Sequence, residues 1–341
     1  MRYVIYGAGG VGGVIGGRLC HHGHKVTLIC RGKQYDAIRR QGLTLKTPTE
    51  TLQLAVPVVS HPAELTFTSE DVVILTMKSQ DTELAVRDLY RAAGDTVPVI
   101  CAQNGVDNER MAARRFAQVY AMVVWLPATY LEPGVVLNHA APVGGILDAG
   151  CYPQGVDPLI THVTADLTAC GFSAKPDPRL MRWKYTKLLS NLGNAIQAIC
   201  GLEAPAGEIV RAARQEALAC YRAAGIDFVP EEEMRRRVQA EIKLADIPGH
   251  PRRGGSTWQS LMRDLPTIEV DFLNGEIVLL GALYGIPTPC NRLLQNVAHR
   301  MVWEKWPPGS ITVAELHRML QEQRASESRS TRSTAPATVD P

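Results

Sequence analysis

A short apolar run, Tyr3-Val4-Ile5-Tyr6, opens directly into Gly7-Ala8-Gly9-Gly10-Val11-Gly12, and a helical pattern follows to about residue 22. A glycine loop between strand and helix constrains this chain more than any other stretch. The first glycine permits a tight turn, the second lets a pyrophosphate approach the backbone, and the third lets helix and strand pack closely. The helix start then offers oriented N–H groups to phosphate oxygens. A dinucleotide-binding domain is expected, with Gly7, Ala8, Gly9, Gly10, Val11 and Gly12 against the cofactor.

The pattern that follows agrees. Residues 3–6, 25–30, 72–76, 97–101 and 119–125 read as strands alternating with helical stretches, the βαβ rhythm of a parallel sheet. Residues 43–46 and 52–56, on either side of Thr47-Pro48-Thr49-Glu50, predict an inserted hairpin. Residues 134–139 and 143–147 predict antiparallel strands at the far edge of the sheet, and a helix over 157–170 closes the domain. After Gly171, residues 178–200, 207–224, 231–245, 268–284, 290–305 and 312–323 show helical periodicity without clear strands. The expected fold is an α/β Rossmann-type N-terminal domain with a mainly parallel sheet, residues 1–172, and an all-α C-terminal domain, residues 173–324. Residues 325–341, rich in Ser, Thr, Arg and Pro, predict a disordered tail.

Lys and Arg number 36 against 34 Asp and Glu, and a net charge of +2 argues against nucleic acid or an anionic membrane as partner. No apolar run approaches the roughly 20 residues that span a bilayer. The N-terminus shows no basic and apolar signal pattern, so a cytoplasmic location is expected. The eight cysteines are scattered without CxxC spacing and read as small hydrophobes. His21, His22 and His24 crowd the end of the first helix, and no metal is predicted.

The second strand ends at Cys30-Arg31 with no Asp or Glu where an NAD-selective fold would hold the ribose hydroxyls. The guanidinium of Arg31 suits a 2′-phosphate, so NADP(H) is favoured over NAD; Lys33 is a candidate assistant. In an open α/β sheet ligands lie beyond the strands' carboxyl ends, where Met77-Lys78 and Gln103-Asn104-Gly105 emerge. Lys78 and Asn104 are therefore expected near the nicotinamide or substrate. In the helical half, Lys187, Asn191 and Asn194 stand at i, i+4 and i+7 and are expected to share one helix face. That polar stripe within an apolar segment suggests a cleft facing the cofactor domain. Glu269 opens a further apolar segment, and Asn274-Gly275 within it implies close packing. Arg235-Arg236-Arg237 and Arg252-Arg253 read as solvated charges or partners of nearby glutamates.

In their order and spacing these pieces resemble the ketopantoate reductase (2-dehydropantoate 2-reductase) family, from Met1 to about Leu320: GAGGVG, Cys30-Arg31, Met77-Lys78, Gln103-Asn104-Gly105, Lys187-x-x-x-Asn191, Ser256 and Glu269-Val270-Asp271-x-x-Asn274-Gly275. The resemblance implies an NADPH-dependent reduction of a 2-oxo acid to a 2-hydroxy acid in pantothenate biosynthesis. It makes Lys187 the catalytic lysine and Glu269 a substrate-binding partner. It gives Asn104, Asn191 and Ser256 to the substrate, Lys78 to the nicotinamide region, and Gly7, Gly9, Gly12 and Arg31 to the cofactor. Two positions and one spacing depart from the family pattern. The stretch between Ser256 and Glu269 carries one extra residue near Pro266-Thr267-Ile268. Ala195 stands where a second Asn is common, with Asn194 one residue earlier, and Trp258 replaces a smaller residue.

The mechanism expected is hydride transfer to the C2 carbonyl, with the Lys187 ammonium stabilising the nascent alkoxide and donating its proton. Asn104, Asn191, Asn194 and Ser256 would orient the substrate, and Glu269 would accept from a substrate hydroxyl or restrain the lysine. The competing readings are a reductase of another bulky 2-oxo acid or carbonyl compound, and a non-catalytic NADP-binding sensor. The helical half could support a homodimer.

Overall fold

The computed structural model describes residues 1–251, 254–262 and 267–333, without the side chains of Ser256, Ser260 and residues 326–333. In chain order its strands are β1 (Arg2–Tyr6), β2 (Lys25–Ile29), β3 (Leu43–Lys46), β4 (Thr51–Leu54), β5 (Val58–Val59), β6 (Asp71–Leu75), β7 (Val99–Cys101), β8 (Val119–Met122), β9 (Ala128–Thr129), β10 (Val135–Asn138) and β11 (Ala149–Cys151). Among them run the helices α1 (Gly10–His21), α2 (Gly32–Gln41), α3 (Thr82–Ala93), α4 (Asn108–Ala113) and α5 (Pro158–Ala169).

The main sheet has the order β11-β8-β7-β6-β1-β2-β5. Its strands pair in parallel except for β11, which runs antiparallel beside β8. Helices cover both faces, so the central strands read as apolar runs; β6 is buried along its whole length. One core packs Tyr3, Ile5, Ile74 and Ile100 under α1 and α5, and another packs Val4, Val73 and Leu75 under α3 and α4.

The chain reverses sequence expectation at the far edge. The hairpin β3–β4 forms as expected, with Leu43 opposite Leu54 and Lys46 opposite Thr51, but it belongs to a second sheet of order β4-β3-β10-β9. Residues 134–139 do not extend the main sheet: β10 pairs in parallel with β3. Residues 143–147 form only isolated bridges, Ile146 to Trp125 and to Ser173. Pro142 lacks a donor, and the Gly144 carbonyl is taken by Asn138 Nδ2 at 3.0 Å, so no ladder develops there.

Helix α1 lies between the two sheets, and its glycines explain how. A Cβ at Gly16 would stand 2.8 Å from Leu28 of the main sheet, and one at Gly13 would stand 2.6 Å from Val136 of the second. Two small-residue stripes, Gly12/Gly16 and Gly13/Gly17, thus admit a sheet on each side of one helix.

The later helices are α6 (Met181–Asn191), α7 (Asn194–Cys200), α8 (Gly207–Ala223), α9 (Glu231–Glu241), α10 (Ser256–Met262), α11 (Asn274–Tyr284), α12 (Pro289–Trp303) and α13 (Val313–Ser333). The helix expected over 178–200 is broken at Leu192-Gly193, and α10 was not foreseen. The last helix continues through residues 325–333, part of the segment expected to be disordered.

The chain divides into two compact units, one of Met1–Leu188 and Asp227–Arg253, the other of Leu189–Ile226 and Gly254–Pro341. In this division α6 spans both units, and α9 goes with the first. Side chains explain the return of α9. Arg237 pairs with Asp148, Nη2 to Oδ1 at 2.9 Å, and with Glu241 at 3.1 Å, while Trp125 Nε1 donates to Met234 Sδ at 3.2 Å. Arg235 pairs with Glu232. Of the basic residues read as solvated or glutamate-paired, Arg237 is therefore mostly buried against an aspartate. Arg252 and Arg253 lie outside the described residues. No described helix is long and apolar enough to cross a membrane.

Candidate active site

In the first unit the glycine loop has the tight turn and the close helix–strand packing that its spacing implies. Gly7 has φ of 110°, and a Cβ there would sit 2.7 Å from the Met77 backbone nitrogen. At Gly12 a Cβ would overlap the Gly7 carbonyl oxygen and Thr76 Oγ1, which are themselves hydrogen-bonded at 2.6 Å. Gly9 differs: a Cβ there would meet nothing nearer than Tyr130 Cδ1 at 3.9 Å. The start of α1 has no side-chain cap and no acidic residue in its first turn. Ala8 is buried, with its carbonyl accepting from Gln34 Nε2 at 2.6 Å, and the other end of that carboxamide accepts from the Gly134 N–H at 2.7 Å. The loop is therefore rigid at Gly7, Ala8 and Gly12 and open at Gly9, with the N–H groups of Gly10, Val11 and Gly12 in the uncapped first turn. These residues fit a dinucleotide pyrophosphate.

Arg31 precedes α2 and is exposed, with Nη2 donating to Asp81 Oδ1 at 2.9 Å. Lys78 follows β6 and begins the short turn Ser79–Asp81. Asn104 follows β7, where Gly105 takes φ of 77°. Since β1, β6 and β7 are adjacent and parallel, Gly7, Lys78 and Asn104 all leave the same edge of the sheet.

Lys187 comes to that edge from α6. Its Nζ donates to the Val124 carbonyl at 2.5 Å and to Asn104 Oδ1 at 3.3 Å, and lies 4.3 Å from the centroid of the Trp125 ring. Carbonyl oxygens and an indole face each favour an ammonium. Asn104 and Lys187, 83 residues apart in sequence, thus meet. Trp125 was not foreseen as part of the site. It ends the run read as the strand over 119–125, the same position relative to the sheet that drew attention to Lys78 and Asn104.

Two further residues went unnoticed. Lys184 Nζ donates to the Gln103 carbonyl at 3.0 Å and pairs with Glu109, and both side chains are sealed from solvent. Burial pushes the Glu109 carboxyl up, against the pull of the Lys184 ammonium. Glu109 Oε2 has no partner among the described residues.

In the second unit Asn191 ends α6 and Asn194 begins α7, with Leu192-Gly193 between the two helices, so the three residues Lys187, Asn191 and Asn194 do not lie on one continuous helix. Asn191 is buried, and its Oδ1 lacks a partner among the described residues. Helix α10 packs on α7: the Gly255 N–H donates to Gln197 Oε1 at 3.2 Å, and a Cβ on Gly255 would stand 3.4 Å from Asn194 Oδ1. Ser256 starts α10, with its side chain outside the described residues. Trp258 folds back against Gly254. Glu269 is buried in a short 3-10 turn, Glu269–Phe272, ahead of α11 rather than inside a long helix. Asn274 Nδ2 donates to the Leu192 carbonyl at 3.3 Å and to Asn291 Oδ1 at 3.0 Å, tying α11 to the break between α6 and α7. Gly275 is tightly packed, as its position implied: a Cβ would stand 2.7 Å from Gln295 Nε2. Among the described residues no group of three or more His, Cys, Asp and Glu is arranged to hold a metal.

Two family models match this chain: "Ketopantoate reductase PanE/ApbA" over residues 3–154 and "Ketopantoate reductase PanE/ApbA C terminal" over residues 179–302. The chain belongs to the ketopantoate reductase family. It is accordingly an oxidoreductase of the class that reduces a 2-oxo acid to a 2-hydroxy acid. The 2-dehydropantoate 2-reductase of Pyrococcus horikoshii is 28% identical over 303 residues, covering 86% of this chain and 95% of the relative. The crystal structure of a ketopantoate reductase from Ralstonia eutropha JMP134 superposes with a TM-score of 0.74 at 30% identity, covering 89% of this chain and 99% of the other. D-mandelate dehydrogenase, in a ternary structure with NADH and anilino(oxo)acetate, shares the fold with a TM-score of 0.76 at 21% identity, covering 89% of this chain and 99% of the other.

Proposed function

We propose that this ketopantoate reductase family member uses NADPH to reduce 2-dehydropantoate or a close 2-oxo acid analogue, with Lys187 as the proton donor. One observation carries the reading: the Lys187 ammonium is held beside the Asn104 carboxamide at the carboxyl edge of the sheet that also presents the glycine loop. The name of the Pyrococcus horikoshii relative supports the choice of substrate.

Gly7, Ala8, Gly9, Gly10, Val11 and Gly12 hold the cofactor's pyrophosphate, Arg31 takes its 2′-phosphate and Lys78 flanks its nicotinamide half. Bound NADPH supplies the hydride that turns the substrate carbonyl into an alkoxide. Lys187 Nζ stabilises that oxygen and donates its proton to it, then recovers one from water. The Val124 carbonyl and the Trp125 ring keep the ammonium in place while charge builds on the substrate. The Asn104 carboxamide orients both the lysine and the substrate carbonyl. In the second unit Asn191, Asn194, Ser256 and Glu269 are the residues that the sequence and the family resemblance give to the substrate, and among the described residues the buried Asn191 Oδ1 has no hydrogen-bond partner.

A general acid of this kind contributes ~10²–10⁴-fold. Lys187→Ala should therefore lower kcat by about that factor while the NADPH dissociation constant stays within about threefold. An unchanged kcat removes Lys187 from the chemistry. Loss of NADPH absorbance with a panel of 2-oxo acids, 2-dehydropantoate among them, separates the readings. Turnover of a bulky acid alone favours the alternative substrate, consistent with Trp258 and the absence of an Asn at residue 195. No turnover of any acid, with NADPH bound, favours a sensor.

A further inference from the structure

Two lysines one helical turn apart on α6 grip consecutive residues of the turn after β7. Lys187 Nζ reaches Asn104 Oδ1 at 3.3 Å, and Lys184 Nζ reaches the Gln103 carbonyl at 3.0 Å while pairing with Glu109. The Lys184 and Glu109 side chains are only 2% and 0% exposed. Burying a charged pair is a poor route to stability, because both ions lose their water and apolar groups of the same shape hold a fold as well. What a sealed pair does impose is geometry, since neither charge can leave the other.

That geometry falls on the segment carrying Asn104. Gln103 Nε2 donates to the Met77 carbonyl at 3.0 Å and to Thr82 Oγ1 at 2.7 Å, and Asn108 Nδ2 donates to the Asn104 carbonyl at 2.9 Å. These contacts fix the turn to the sheet edge and to α4. Within the first unit, the Lys184 bond to Gln103 and its pairing with Glu109 fix the turn to α6, the helix that carries Lys187. We propose that the buried Lys184–Glu109 pair is a positioning device that locks Gln103-Asn104-Gly105 against α6, so that the Asn104 carboxamide meets the Lys187 ammonium. Both residues are sealed from solvent and act through Asn104. The inference rests on Lys187 being the proton donor.

The test is Lys184→Met/Glu109→Gln, which removes both charges together and leaves no lone buried ion. The folded variant should keep its Tm within about 5 °C and its NADPH dissociation constant within about threefold, while kcat/KM for the 2-oxo acid falls at least about tenfold. Amide hydrogen exchange over residues 103–109 should quicken, which a lysine and glutamate serving only stability would not cause at unchanged Tm. In a Lys187→Ala background the same pair of changes should add less than about twofold, because the geometry it sets no longer has a proton donor to serve. A wild-type kcat/KM in the folded double variant overturns the proposal. If that protein does not fold, Lys184→Gln/Glu109→Gln, which also leaves no lone buried ion but keeps a shorter donor at residue 184, takes its place with the same expected fall, and an unchanged value overturns the proposal equally. The two readings fail separately. If Lys187→Ala is fully active, the proton donor is misassigned; if Lys187→Ala is crippled while the double variant is not, only the positioning role is lost.

Discussion

Gly9 and Gly12 look alike in the sequence, yet the structure gives alanine at each a different consequence. Alanine in the interior of a helix is ordinarily better than glycine by about 1 kcal/mol. At Gly12 that gain is outweighed, because the new Cβ would overlap the Gly7 carbonyl oxygen and Thr76 Oγ1 and stand 3.0 Å from Ile5 Cγ2. The nearest obstacle is backbone and cannot swing aside. Overpacking costs ~1–3 kcal/mol, and loosening the Thr76–Gly7 hydrogen bond costs about 1 kcal/mol more. Net of alanine's helix advantage, Gly12→Ala should thus lose about 1–3 kcal/mol, or roughly 2–12 °C in Tm for a domain of this size. At Gly9 the added Cβ meets only Tyr130 at 3.9 Å, and the residue has φ of −79°, which alanine adopts freely. Gly9→Ala should leave Tm within about 2 °C. It should nevertheless weaken NADPH binding by about 10–100-fold, because the methyl group fills the space the pyrophosphate needs. Thermal unfolding and titration of NADPH fluorescence read the two effects independently. If Gly9→Ala binds NADPH like the parent, the loop does not cradle the pyrophosphate. If Gly12→Ala keeps its Tm, close packing of helix on strand is not why that glycine is there.

Arg31→Ala should weaken NADPH much more than NADH, and Asp81→Asn, which removes the carboxylate now paired with Arg31, should tighten NADPH by about 3–10-fold at low salt, an effect that fades as salt is raised; competitive titrations with both cofactors check this. Asp71 is buried, which favours its neutral form, but the Arg2 guanidinium and the Thr68 N–H more than offset burial and hold its carboxyl below the usual carboxylate range. Its contribution to stability is therefore complete above the unfolded value of about 3.9 and is lost as pH falls through the lower folded value, so urea midpoints between pH 5 and 3 should fall less steeply in Asp71→Asn. Ala195→Asn should destabilise by about 1–3 kcal/mol in urea melts without improving turnover of 2-dehydropantoate, whereas Asn194→Ala should raise KM for the 2-oxo acid with little change in stability.

The parts of the fold legible in the sequence were those governed by local pattern. The strand–loop–helix opening, the alternation through residue 125 and the hairpin at 43–54 each carry their own periodicity and turn chemistry. What was not legible depended on partners far along the chain. Residues 134–139 join β3 rather than the main sheet because α1, flanked by two glycine stripes, lets a second sheet approach; of those four glycines the motif accounts for Gly12 alone. The return of α9 turns on Arg237 finding Asp148, 89 residues away, and no spacing rule reveals that. At the candidate site, Lys187 and Asn104 were visible as polar groups at the right ends of elements. Lys184 and Glu109 were hidden for the opposite reason, since a lysine and a glutamate amid ordinary helical sequence read as surface until their burial is known.

The break at Leu192-Gly193 changes how the asparagines of this region must be read. On one continuous helix, Asn194 would stand seven residues beyond Lys187, and an Asn eight residues beyond would point about 100° away from it. Counting in this way makes Ala195 a missing ligand and Asn194 an awkward substitute. The helix does not continue, however. Asn194 is the first residue of α7, while Ala195 is 1% exposed inside the second unit's packing. The Asn274 carboxamide, bonded to the Leu192 carbonyl and to Asn291, holds the break from the α11 side. Beside Asn194 lies Gly255, the residue preceding Ser256. On the proposed reading the polar role at this turn falls to Asn194 with the start of α10, and Ala195, which is buried, is a packing residue. A departure that looks like the loss of a substrate contact when residues are counted along one helix becomes, at a helix break, a change of element.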